Sequence, residues 1–323
     1  MFMFNRKITN FNFWDDLRWL DFRKKSVAEK WNGPDNAQTY QKIVKDKSFT
    51  TYSDQDFYYK TNSLGFRSEE FDTPSTAKIL YAGCSITEGI GLPVEHTWAN
   101  FLNVLISSEI NKPVPLFNVG LGGSSIEAIC RTVYMVIKQK KITPDLVMIL
   151  LPSVSRNEII YLDARNNPSI YNFIATFDKY DDPRIKMLHN SLLKSFMPAQ
   201  RVHEVFRSML FLYEFLSARN IPMYFQTWDN TIIEFSSSVQ LSFLDILKQG
   251  APSDLKQCLI PVQMSFDYET VPAPHGLPFK QNIARDGMHP GPNTHWNFAN
   301  ETFSWLKKQD GFLELISKWK AAK

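Results

Sequence analysis

The sequence predicts an α/β protein: a three-layer α/β/α sandwich around a parallel sheet of roughly five strands. Three observations point there. From about Lys78 onward, short apolar runs alternate with amphipathic stretches, the pattern of strands joined by crossover helices. The run DLVMILLP (Asp145 to Pro152) is continuously apolar, as a strand covered on both faces must be. Hydrophobic residues make up 44% of the 323 residues and aromatics 14%, ample for the core such a sandwich encloses.

KILYAGCS (Lys78 to Ser85) reads as the first strand. A helix follows from Glu95 to Ser108, with Trp98, Phe101, Leu102 and Leu105 at helical spacing. VPLFNVG is the second strand, ending at Gly120. SSIEAICRTVYMVIKQKK is a helix with Ile126, Ile129, Val133 and Ile137 on one face and a basic end, which suits the helix dipole. DLVMILLP is the third strand. Asn, Asp and Pro then interrupt the rhythm over about 153–185, the composition of an insertion. Helical pattern returns over about 185–219, with a break expected at Pro198. IPMYFQTWD is a fourth strand, SVQLSFLDILKQ a helix, CLIPVQMSF a weak fifth strand and VPAPHGLPF a loop. NTHWNFANETFSWLKKQ closes the pattern as an amphipathic helix. Residues 1–75 lack this rhythm and read as an N-terminal extension, with a helix around Trp14 to Lys25, that packs on the core or on a partner; 76–323 form the main domain.

Lys plus Arg number 36 and Asp plus Glu 33, a net charge of only +3 with no basic run. Nucleic acid and anionic membranes are therefore not expected as partners. Cys84, Cys130 and Cys258 are far apart and odd in number, which argues against a disulfide framework or a zinc knuckle. Charges come too early for a signal peptide and no stretch reaches a membrane span, so a soluble protein is expected.

Three segments can carry chemistry. Gly83-Cys84-Ser85-Ile86-Thr87-Glu88-Gly89 ends the first strand, where an open α/β sheet has its crevice. Ser85 there is either a nucleophile on a tight turn or a helix cap. Asp286-Gly287-Met288-His289 lies before the last helix, and its carboxylate can orient the imidazole as a base for a serine. The other readings are a surface histidine, or half of a metal site with His295. Asn118-Val119-Gly120-Leu121-Gly122-Gly123-Ser124 exposes backbone N–H groups at a strand-to-helix junction, for an oxyanion or phosphate or for purely structural reasons. No Lys follows these glycines as a P-loop requires. Cys84 is a weaker nucleophile candidate, because neighbours on a strand point to opposite faces. His96, His189 and His203 lie on expected helices as packing or surface residues, and His275 falls in the Pro-rich loop. Gln226 and Trp228, ending the fourth strand, read as strand-end packing that borders the crevice.

In order and context these pieces resemble the SGNH/GDSL serine hydrolase superfamily, whose fold is flavodoxin-like. GCSITEG looks like its nucleophile block, NVGLGGSS like its second block and RDGMHPGP like its closing D-x-x-H block. TNSLGFRSEEF (Thr61 to Phe71) resembles a stretch that precedes the nucleophile strand in many bacterial members. The resemblance spans about 58–308. It implies a cofactor-free esterase with a Ser85–His289–Asp286 triad, and with the amides of Ser85 and Gly123 as oxyanion donors. Its substrate would be an acylated small molecule or glycan, with acetyl on a carbohydrate the first choice.

One block departs from the pattern. Where the family has G-x-N-D, this chain has Leu151-Pro152-Ser153-Val154-Ser155-Arg156-Asn157, leaving Ser153, Ser155, Arg156 or Asn157 to replace the asparagine donor. Losing one such donor costs about 3 kcal/mol of transition-state stabilisation. The alternative function is therefore a non-catalytic binding or structural module. Proteins that look similar occur in bacteria and tailed phages, which allows a cytoplasmic or a virion-associated place, with assembly through the N-terminal extension.

Overall fold

The computed structural model describes residues 25–45, 56–162, 168–173, 183, 186–187, 189–191, 198–229, 232–236, 239–262, 264 and 283–322. In chain order β1 (Ala28–Glu29), α1 (Ala37–Lys45) and β2 (Tyr59–Lys60) precede the first sheet strand. There follow β3 (Ile79–Gly83), α2 (Ser85–Glu88), a 3₁₀ turn (Val94–His96), α3 (Trp98–Ile110), β4 (Phe117–Asn118), α4 (Ile126–Lys138) and β5 (Leu146–Leu151). Next are β6 (Asn157–Leu162), β7 (Pro168–Phe173), α5 (Pro198–Ser217), β8 (Met223–Thr227), β9 (Ile232–Ser236) and β10 (Val239–Ser242). The chain closes with α6 (Phe243–Gly250), α7 (Ser253–Lys256), α8 (Pro292–Leu306) and α9 (Asp310–Ala321).

The sheet is parallel, in the order β4-β3-β5-β8. Side chains alternate across it, and that period builds the two outer layers. Ile79, Tyr81, Leu146, Met148 and Leu150 point into one core with residues of α3, α8 and α9. Leu80, Ala82, Val147, Ile149 and Leu151 point into the other with α4, α5 and α6. Strands buried on both sides need a run of apolar residues, and every residue of β3 and β5 is buried.

The fifth strand is a correction. The described part of CLIPVQMSF makes one parallel bridge, Phe225 with Leu259, and adds no strand. Pro261 follows two residues later and has no N–H to extend the ladder. The segment expected as a helix over SVQLSFLDILKQ also divides. Val239–Ser242 pairs antiparallel with Ile232–Ser236. The helix begins only at Phe243, because Ser242 Oγ accepts from the Asp245 amide and caps it there. The insertion carries an antiparallel hairpin, β6 with β7. Sequence reading also missed α9, whose Phe312, Ile316 and Trp319 are buried against the sheet's α3 side. The expected Trp14–Lys25 helix lies outside the described residues apart from Lys25, as do the VPAPHGLPF loop and its His275. Among the described residues no helix is long and apolar enough to cross a membrane.

Strand order reverses between β3 and β5: the chain steps from β3 out to β4 on one edge, then back past β3 to β5. Such a switch point opens a crevice at the carboxyl ends of the strands. Gly83 pairs with Leu150, so Ser85 and the segment starting at Pro152 leave the sheet side by side at that crevice.

Candidate active site

Ser85 starts α2 immediately after β3 and is buried. Its Oγ lies 2.8 Å from His289 Nε2, although 204 residues separate them. His289 Nδ1 is 2.5 Å from Asp286 Oδ2. The other carboxylate oxygen, Oδ1, accepts from the backbone N–H groups of Met288 and His289, each at 3.1 Å. Asp286 therefore has both oxygens engaged inside one tight turn and is itself 1% exposed. A carboxylate on Nδ1 fixes the proton there and leaves Nε2 as an acceptor facing the Ser85 hydroxyl. This arrangement can take a proton from Ser85 as its oxygen attacks a carbonyl.

The Asp286–His289 loop is seated by close backbone approach. Arg285 N–H donates to the Gly91 carbonyl at 2.9 Å. A Cβ on Gly91, whose φ is +80°, would lie 2.7 Å from Ala284 Cβ and 3.0 Å from Asp286 Oδ1. Only glycine combines that conformation with that contact. On the Ser85 side, Arg67 fastens the segment after α2. Its guanidinium donates to the carbonyls of Glu88, Gly89 and Leu92, and it stacks 4.5 Å from the Tyr59 ring. Burial lowers the pKa of Arg67, and the neighbouring Tyr59, Glu88, Glu95 and Asp35 oppose that shift. This is a physical use for the Arg of TNSLGFRSEEF.

The second loop comes down on α2. Asn118 Nδ2 donates to the Thr87 carbonyl at 2.7 Å, and its Oδ1 accepts from Gly120 N–H at 2.8 Å. Leu121 and Ser124 close a turn through a 3.2 Å backbone bond. Gly123 occupies its third position at φ +78°, the signature of a type II turn. A Cβ on Gly122 would lie 3.9 Å from Ser85 Cβ, so this turn adjoins Ser85. Gly122 N–H is not available to a ligand: it donates to Glu88 Oε2 at 2.6 Å. Glu88, buried in α2, was not singled out by sequence, although it lies within GCSITEG.

The segment after β5 is internally bonded. Ser153 Oγ pairs with Ser155 Oγ at 2.9 Å, and Asn157 Oδ1 accepts from Glu158 N–H at 2.8 Å. Arg156 lies over the Trp228 ring at 5.3 Å, beside the crevice end of β8. Among the described hydrogen bonds, none runs from 153–157 to Ser85, Asp286 or His289. Gln226 is buried against Thr302, as strand-end packing requires.

His295 does not form half of a metal site with His289. Its Nδ1 accepts from the Trp98 N–H at 2.9 Å and its ring donates to the Pro290 carbonyl, so neither nitrogen is open to a metal. Burial first, then His289 and His96, push its pKa down to about 3. No cluster of metal-ligating side chains is present among the described residues. Cys84 is fully buried in the core with Tyr81 and Trp98, yet its Sγ lies 4.0 Å from Ser85 Oγ, so the two side chains do not point to opposite faces as expected of strand neighbours. His96 stacks on Phe101 at 6.0 Å, His189 is buried and His203 lies on α5.

No family model matches the chain, and no curated protein matches it. Among solved structures it is similar to that of TesA, at 15% identity over 71% of this chain and 98% of that one, with a TM-score of 0.38. The esterase EstA from Pseudoalteromonas sp. gives 15% identity over 71% and 96%, also at 0.38. AlinE4, described as an SGNH-hydrolase family esterase, gives 18% identity over 59% and 78%, at 0.34. At such values the overlap adds no weight to the geometry above.

Proposed function

We propose that the chain is a serine hydrolase of the SGNH type that cleaves esters through an acyl-enzyme. The observation that carries this reading is the continuous hydrogen-bonded series Asp286–His289–Ser85 at the sheet's switch point. In the proposed cycle Ser85 Oγ attacks the ester carbonyl while His289 Nε2 takes its proton. Asp286 holds the ring and balances the imidazolium. The amides of Ser85 and Gly123 receive the developing oxyanion. His289 then returns the proton to the leaving alcohol, and water repeats the sequence on the acyl-serine.

Within this class the substrate we favour is a short acyl group, acetyl above all, on a carbohydrate. That choice rests on the family resemblance and on the small Gly122 beside Ser85. A second reading has one observation in its favour. The segment after β5 carries no asparagine at the family's donor position, and its hydroxyls bond to each other. On that reading the same fold serves as a binding module, in a phage particle or another assembly. Turnover of p-nitrophenyl acetate and of an acetylated sugar by wild type and Ser85→Ala separates the two. Activity that disappears with the hydroxyl supports the hydrolase. Equal rates in both proteins, or none in wild type, support the module.

A further inference from the structure

The N-terminal segment reaches both halves of the site from a single four-residue turn. Asn32 and Asp35 exchange backbone hydrogen bonds, N–H to carbonyl in each direction, at 3.0 and 3.2 Å. Gly33 and Pro34 form the tip between them. The side chains at the two ends diverge. Asn32 Nδ2 donates to Glu88 Oε1 at 3.1 Å, and the other oxygen of that carboxylate holds Gly122 N–H. Asn32 thus touches the residue that ties the Gly122–Gly123 turn to the helix starting with Ser85.

Asp35, fully buried, engages Arg285 instead. Arg285 Nε lies 3.0 and 3.2 Å from its two oxygens, and Nη2 lies 2.6 Å from Oδ2. Nη2 also donates to the Lys30 carbonyl, and the guanidinium is sandwiched by Trp31 at 4.4 Å and Phe57 at 3.8 Å. Arg285 directly precedes Asp286. A ring of bonds then closes back on the nucleophile side. Arg285 N–H donates to Gly91 O, Gly91 N–H donates to the Tyr59 hydroxyl, and that hydroxyl donates to Asp35 Oδ2. Burial and the Asp35 charge push the Tyr59 pKa far up, so the phenol keeps the proton it donates. On the outer side, a Cβ on Gly287 would meet Ile43 Cδ1 at 2.4 Å, so α1 backs the same loop.

Packing alone does not require a buried ion pair, whose desolvation is costly unless every partner is placed. Nor does it require both ends of one turn to bond to opposite loops. We propose that the Asn32–Asp35 turn is a clamp that holds the oxyanion side and the base side of the site in register. Asn32 acts through Glu88 and Asp35 through Arg285, and both are positioning residues. The inference rests on the hydrolase reading for its catalytic meaning, but its mechanical content is separate. A misplacement of 1 Å at a reacting group costs about 100-fold in rate.

The test uses the full-length chain with Asn32→Ala, Asp35→Asn and, as a control, Gln38→Ala on exposed α1 positions. Amide hydrogen exchange is followed by peptide, alongside kcat and KM on p-nitrophenyl acetate. Asn32→Ala is expected to speed exchange in 119–124, and Asp35→Asn in 284–290, with Gln38→Ala changing neither. In the two clamp variants kcat falls about ten-fold or more while KM stays within about two-fold. Should Asp35→Asn fail to fold, Tyr59→Phe opens the same ring with a smaller change. Folded variants with wild-type exchange in both segments would overturn the clamp. If wild type shows no turnover, the hydrolase reading falls, and the exchange data still decide the clamp.

Discussion

Asp286→Asn tests the triad at the atom level. The aspartate uses Oδ1 for two backbone N–H groups and Oδ2 for His289 Nδ1. Asparagine has only one oxygen. If that oxygen faces Nδ1, its NH₂ is pressed against two N–H donors, and two buried hydrogen bonds are lost at about 1–3 kcal/mol each. The oxygen therefore stays with the amides, and the NH₂ turns to Nδ1. That nitrogen must then accept, which moves the ring proton to Nε2, 2.8 Å from Ser85 Oγ. A protonated Nε2 cannot take the serine proton. The loss expected for a triad locked in this tautomer is about 10⁴-fold in kcat, roughly 5 kcal/mol of barrier. Steady-state kinetics on p-nitrophenyl acetate read kcat and KM, with thermal unfolding to show that the fold persists. A kcat within about ten-fold of wild type would refute the tautomer argument.

Two further outcomes follow from the same contacts. Gly91→Ala places a methyl 2.7 Å from Ala284 Cβ and 3.0 Å from Asp286 Oδ1. It should lower kcat by about 100-fold through displacement of the base loop, and kinetics beside a melting curve will show whether activity falls further than stability. His295 titrates near 6.5 when unfolded but near 3 when folded, so between those values the unfolded chain binds the extra proton. Its contribution to stability is complete above about pH 6.5 and is lost as pH falls toward 3, by about 3 kcal/mol at pH 4.5. In urea melts at pH 8 and pH 4.5, His295→Gln should lose less stability on acidification than wild type.

The parts legible in the sequence are those fixed by local pattern. β3 and β5 are uninterrupted apolar runs, and Ser85, Asp286 and His289 stand in short blocks with recognisable neighbours. The parts not legible depend on partners far away in the chain. Nothing near Asp35 announces Arg285, 250 residues on, because a lone aspartate in a polar turn is an ordinary loop residue. Glu88 resembles a solvated helix residue until Gly122 and Asn32 are seen on its two oxygens. Within the described part of CLIPVQMSF only the Phe225–Leu259 bridge forms, for a local reason that was visible, Pro261. α9 was missed because Gly311 follows a basic run that reads as a helix end, although Phe312, Ile316 and Trp319 keep helical spacing.

The central claim is that Ser85 is a nucleophile activated by His289. A fluorophosphonate probe, followed by proteolysis and mapping of the modified residue, tests it most directly. The expected result is a single adduct on Ser85 that forms readily in wild type and far more slowly in His289→Ala. An adduct on another residue, or labelling of Ser85 at the same rate without His289, would contradict it.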